Sequence, residues 1–181
     1  MTAPIAIIGA GPCGLTLANL LDRNNINYVL YERDSASAPI EHRKAGVGGT
    51  LDLHAKSGQR ALRSAGLFEE FKKHARYDAT GFALLKSDGE EVIRVGEGRD
   101  APEIDRHQLR QMLLDSVPAE KIQWDHGLKS VDKNGEGLWR INFVDGSKAE
   151  GFKLIVGSDG AWSKVRPAVS QTFTRHSWTK Y

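Results

Sequence analysis

Hydrophobic and polar residues are arranged along the first thirty-four positions as strand, turn, helix and strand. Ile5 to Ile8 form a short unbroken apolar run, the pattern of a parallel strand buried on both faces. Gly9-Ala10-Gly11-Pro12-Cys13-Gly14 interrupts it, and Leu17, Leu20 and Leu21 then recur at helical spacing until Asn24 and Asn25 end the helix. Tyr28 to Tyr31 supply a second strand. Further along, Phe82 to Lys86 and Glu91 to Val95 flank Asp88-Gly89, and Leu138 to Val144 precedes Asp145-Gly146, so both dipeptides read as hairpin turns. A third Asp-Gly, Asp159-Gly160, ends the apolar strand Lys153 to Val156 and opens onto Ser163-Lys164-Val165-Arg166, a strand-to-helix turn.

The first of these units carries chemistry. Glycines spaced as G-x-G-x-x-G between a strand and a helix give a tight turn at Gly9, close backbone approach at Gly11 and helix-on-strand packing at Gly14. Amides at the helix start, with the helix dipole behind them, suit a pyrophosphate. Glu32, with Arg33 beside it, ends the second strand 18 residues after Gly14, where a carboxylate accepts hydrogen bonds from a ribose 2′-hydroxyl and disfavours a 2′-phosphate. The unit therefore reads as dinucleotide-binding, with a ligand-free glycine turn as the alternative. NAD and FAD share it, and the unit alone does not choose between them.

Composition narrows the remaining possibilities. The chain has 181 residues, 40% hydrophobic and 27% charged, enough for a buried core. A formal net charge of +2 gives no field that would steer it to nucleic acid or an anionic membrane. The apolar stretch from Ala3 to Leu21 is broken by glycines and Pro12 and has no basic residue before it, so it reads as neither a span nor a signal peptide. A single cysteine, Cys13, excludes an internal disulfide and fits a cytosolic protein. The six histidines lack metal-ligand spacing, and no nucleophile motif surrounds any serine.

Three further segments, Gly48-Gly49-Thr50-Leu51-Asp52-Leu53-His54, Pro102 to Arg110, and Gly157 to Arg166, resemble the class A FAD-dependent monooxygenases, over about residues 4 to 169. Most similar is the branch with the tetracycline-inactivating enzymes and fungal biosynthetic hydroxylases. The resemblance implies an α/β fold, a Rossmann-like FAD-binding domain over 1–169 of the GR2 type, with an inserted antiparallel hairpin at about 80–96 from a substrate sheet. It implies FAD, with NADPH as reductant and O₂ as oxidant, and hydroxylation of a small phenolic or polyketide-like substrate in secondary metabolism. Cofactor-binding positions carried by it are Gly9, Gly11, Gly14, Glu32, Arg33, Asp52, Arg106 and Asp159, with Arg43 at the place of an arginine implicated in NADPH binding. No catalytic side chain and no metal are implied.

The residues leave plainer readings open: Asp52 as a cap of the helix from Ser57 to Ala65, Arg43 as a solvated loop charge, and Arg110 as an ion-pair partner of a carboxylate such as Asp105. Leu109, Met112 and Leu113 mark the core face of the Arg106 helix. The family's later Gly-Asp motif is missing, since that dipeptide occurs nowhere, and residues 170–181 lose hydrophobic periodicity. The sequence therefore reads as a truncated member with self-association through exposed apolar surface, or else as a non-catalytic flavin-fold remnant or interaction module.

Overall fold

The computed structural model describes residues 3–36, 49–78, 81–96 and 100–170. The chain divides into two compact units, Met1–Ala38 with Val117–Tyr181, and Pro39–Ser116.

In the first unit, β1 (Ile5–Ile8), β2 (Tyr28–Tyr31), β7 (Ile122–Gln123) and β11 (Leu154–Gly157) form a parallel sheet in the order β11-β1-β2-β7. Every residue of β1 is buried, as its unbroken apolar run demands, because the sheet is covered on both faces. Helix α1 (Pro12–Arg23) packs on β1 and β2 and buries Gly14, Leu15, Ala18 and Asn19. A meander of β8 (Leu128–Lys133), β9 (Trp139–Phe143) and β10 (Lys148–Phe152) forms an antiparallel sheet in the order β10-β9-β8. Its Leu128, Ile141, Phe143 and Phe152 share one core with Ala6, Ile8, Tyr31 and Val165. The result is helix, parallel sheet and meander in layers, with the C-terminal ends of β1, β2 and β11 on one edge. The α/β class and the strand-turn-helix-strand opening are as expected, and Asp145-Gly146 does join two antiparallel strands.

The second unit contains β3 (Thr50–Asp52), α2 (Gly58–Ala65), α3 (Phe68–His74), β4 (Phe82–Leu85), β5 (Glu91–Val95), β6 (Glu103–Asp105) and α4 (Arg106–Asp115). β3 and β6 pair antiparallel, Thr50 opposite Asp105 and Asp52 opposite Glu103, and Arg76 adds an isolated bridge to Glu103. Leu62, Phe71, Leu109, Met112 and Leu113 are buried, as the helical spacing predicted for α4. Gln59 is also buried, with its Nε2 donating to Leu53 O at 2.9 Å and to Asp100 Oδ1 at 2.8 Å. β4 and β5 form the hairpin expected at Asp88-Gly89. Its register sets Phe82 opposite Val95 and Leu84 opposite Ile93, one face of four apolar side chains, each about half exposed.

Candidate functional site

The glycine turn connects β1 to α1, and its three glycines answer to different demands. Gly9 has φ +105°, and a Cβ there would stand 2.6 Å from Ser158 O. At Gly14 a Cβ would stand 2.0 Å from Gly9 O. Both positions are glycine because protein backbone occupies the space. Gly11 has ordinary extended geometry, φ −81° and ψ 176°, and a Cβ there would meet nothing within 4 Å. The protein's own packing has no need of glycine at 11; a ligand approaching the backbone would.

Gly11 is also the N-cap of α1, without a side-chain cap and with no acidic residue in the first turn. The first helical bond runs from Leu15 N to Gly11 O, so the Cys13 and Gly14 amides lie outside the helical ladder, at the positive end of the dipole. Amides so placed at a helix start favour negative charge.

Glu32 follows β2 immediately. Although it stands at a strand end, it is only 7% exposed. The reason is long-range: Glu32 N donates to Gln123 O at 2.9 Å and His126 N to Glu32 O at 2.8 Å, so the chain after β7 wraps over it. Its carboxylate takes Ala10 N–H on Oε2 at 2.6 Å and Asp34 N–H on Oε1 at 3.0 Å. Glu32 thus braces the glycine turn from below. Arg33 beside it is 82% exposed and lies 3.8 Å from Asp34 Oδ1.

The third Asp-Gly differs from the other two as the strand-to-helix reading requires. Asp88 and Asp145 close local turns, accepting from Glu90 N and Ser147 N two residues on. Asp159 reaches further, with Oδ2 accepting from Lys164 N at 2.6 Å and Val165 N at 3.4 Å, so it caps the turn that leads into α5 (Arg166–Val169). Its Oδ1 is shielded from solvent with no hydrogen-bond partner. Such an oxygen is costly to leave unmet, and a donor supplied by a ligand or water would satisfy it. Ser158, just before, is tied to the end of β1: its N donates to Ile8 O at 2.9 Å, and its Oγ lies 2.8 Å from Ile8 O and 3.0 Å from Gly9 O. Gly9, Gly11, Gly14, Glu32 and Asp159 therefore converge where β1, β2 and β11 end, the edge at which open parallel sheets bind ligands.

Asp52 and Arg106 belong to the second unit, and Arg43 lies outside the described residues. Asp52 is exposed at the end of β3 opposite Glu103, and it caps no helix, since α2 has Ser57 at its N-cap. Arg106 is the exposed first residue of α4, with its N donating to Gly49 O at 3.2 Å. The short ladder sets these two at opposite ends. Asp105, which sequence offered to Arg110, is gripped by Arg76, whose NH2 and NH1 lie 3.2 and 3.4 Å from its two oxygens. Arg76 NH2 also reaches Glu103 Oε2 at 3.4 Å. Hydrogen bonding to Asp105, then to Glu103, raises the Arg76 pKa above its ordinary value. Sequence reasoning missed Arg76 and Ser158, whose partners are distant in the chain. Among the described residues no group of His, Cys, Asp and Glu could hold a metal, and no helix is long and apolar enough to cross a membrane.

Residues 2–180 match the FAD binding domain family. The chain belongs to that family. It is 34% identical over 177 residues to the monooxygenase asqM of Emericella nidulans, a match covering 91% of this chain and 40% of that protein. A structure from Photorhabdus luminescens described as an FAD containing monooxygenase superposes with TM-score 0.76 at 26% identity, over 92% of this chain and 42% of that one. Tetracycline destructase Tet(51) shares the fold, with TM-score 0.68 at 22% identity over 97% of this chain and 42% of that one. The resemblance to flavoprotein monooxygenases read from the motifs therefore holds, and the chain spans about two fifths of the length of these relatives.

Proposed function

We propose that this chain holds the ADP part of FAD in its glycine turn and serves an NADPH- and O₂-dependent monooxygenase acting on a small phenolic or polyketide-like substrate. The observation that carries the reading is the open space at Gly11, beside helix-start amides and a fixed carboxylate. The donor set fits the group. The Cys13 and Gly14 amides and the α1 dipole hold pyrophosphate oxygens, Gly11 lets the phosphate approach, and Glu32 accepts from the adenosine ribose. An acid at that position repels a 2′-phosphate, which favours FAD over NADPH for this turn. Asp159 offers its unmet oxygen as a further acceptor at the same edge.

When bound, FAD supplies the two-electron redox chemistry and oxygen activation that no side chain here can provide. The protein's part is to bind, orient and exclude water. By the resemblance, Arg33, Asp52 and Arg106 are further cofactor-binding positions, and Arg43 serves the nicotinamide reductant. The setting we propose for this activity is secondary metabolism in the cytosol; relatives named as monooxygenases support the oxygenation itself.

The test is isotopic. With FAD, NADPH and ¹⁸O₂, the protein is incubated with a panel of phenols and polyketide-like aromatics, and products are read by mass spectrometry. Incorporation of one ¹⁸O atom into a product is expected. Hydroxylated products whose new oxygen is unlabelled, and so comes from water, would contradict a monooxygenase.

A further inference from the structure

We propose that Ser158 is a positioning residue for the phosphate-binding turn: with Glu32 it clamps a single peptide group, Gly9–Ala10, from both ends. The inference rests on the reading of the turn as a pyrophosphate site. A peptide is one rigid plane whose carbonyl and N–H point in opposite directions. In this plane the carbonyl is Gly9 O, 3.0 Å from Ser158 Oγ, and the N–H is that of Ala10, which donates to Glu32 Oε2 at 2.6 Å. The one hydroxyl proton of Ser158 is shared between two carbonyls, Gly9 O at 3.0 Å and Ile8 O at 2.8 Å, and Ile8 O also accepts Ser158 N–H at 2.9 Å. Rotation of the plane breaks one bond or the other.

The plane matters because the rest of the turn is stacked on it. Gly14 packs so closely on Gly9 O that a Cβ would stand 2.0 Å away, and Ser158 Oγ would be 2.6 Å from the same Cβ. The Gly9 carbonyl is thus the point where β1, the start of α1 and the Asp-Gly turn after β11 meet. Its direction sets where Gly11 and the Cys13 and Gly14 amides face. A serine before Asp-Gly, 149 residues from Gly9, converts a packing contact into a directional one. Alanine would fit the same space and leave the Gly9 carbonyl without that donor.

The test uses the full chain and three ligands, FAD, ADP and adenosine, with adenosine measured by competition. Ser158→Ala should weaken FAD and ADP about tenfold and leave adenosine unchanged, because the ribose acceptor stays while the amides facing phosphate lose their alignment. Ser158→Thr, which keeps the hydroxyl, should restore ADP binding to within about twofold. Val131→Ala, in the meander core, should lower the thermal midpoint without changing the ratio of ADP to adenosine affinity. Should Ser158→Ala fail to fold, Ser158→Cys, a weaker donor, must give a smaller loss confined to the phosphate-bearing ligands. Unchanged ADP affinity, or a loss shared equally with adenosine, overturns the clamp alone. A wild-type chain that binds neither FAD nor ADP overturns the proposed function and the clamp together.

Discussion

Replacing each of the three turn glycines by alanine separates a ligand requirement from a packing requirement. Gly14→Ala drives a methyl to 2.0 Å from Gly9 O, far inside contact distance. Overpacking of this kind costs about 1–3 kcal/mol, and more where backbone cannot yield. At roughly 2–4 °C per kcal/mol for a chain of this size, a cost of 2–3 kcal/mol lowers the thermal midpoint by about 4–12 °C. Gly9→Ala meets Ser158 O at 2.6 Å and adds the strain of φ +105°, so it should be at least as damaging. Gly11→Ala meets nothing and keeps an ordinary φ. Its small loss of N-cap preference is offset by reduced freedom of the unfolded chain, leaving stability within about 0.5 kcal/mol. Its methyl would project into the space that the proposed function gives to pyrophosphate. Losing even one charge-assisted hydrogen bond of about 1.5–3 kcal/mol raises Kd by roughly 10- to 150-fold. The assay is a thermal melt and an FAD titration on all three variants. Gly11→Ala that melts like wild type and binds FAD as well would refute the ligand reading of the open space, and Gly14→Ala that melts unchanged would refute the packing reading of Gly14.

Other expectations follow from particular contacts. Glu32→Gln should lower both stability and FAD affinity, because the amide cannot accept from Ala10 N–H and Asp34 N–H as a carboxylate does; a loss of about 1.5–3 kcal/mol in denaturant melts is expected. Tyr28 has its hydroxyl shielded without a hydrogen-bond partner, and burial first, then Asp22 and Glu120, pushes its pKa up to about 12. The protonated phenol is the form the fold favours, so this contribution is intact below about pH 10 and lost as pH rises toward 12. Tyr28→Phe should flatten that alkaline loss and at neutral pH leave stability equal or up to about 1 kcal/mol higher, read by melts between pH 7 and 12. Leu84→Lys with Ile93→Lys on the exposed hairpin face should reduce concentration-dependent light scattering while leaving the melt unchanged.

What sequence revealed was what is local. The apolar run of β1, the glycine spacing, the leucine period of α1 and the two hairpin Asp-Gly turns each depend on neighbours a few residues away, and each formed where expected. Asp159-Gly160 was separable from the other two by its flanks alone, one strand before and one helix after. Glu32 was legible in position but not in burial, because the cover comes from Gln123 and His126, about ninety residues on. β8 was hidden by Lys129, Ser130 and Asp132, whose polar side chains break the apolar pattern while Leu128 and Val131 pack inward. The β3–β6 ladder joins residues about fifty apart, and nothing in either stretch names the other. Arg76 and Ser158 were missed for the same reason: each acts on a group brought near only by the fold.

The claim that the glycine turn holds the ADP part of FAD is tested most directly by competition. FAD bound to the purified chain is followed by its absorbance and by co-elution through gel filtration, then challenged with ADP and, separately, with FMN. The account predicts a yellow, co-eluting protein from which ADP displaces FAD while FMN, which lacks the adenosine and second phosphate, does not. A folded chain that stays colourless with added FAD, or one from which FMN displaces FAD and ADP does not, would contradict it.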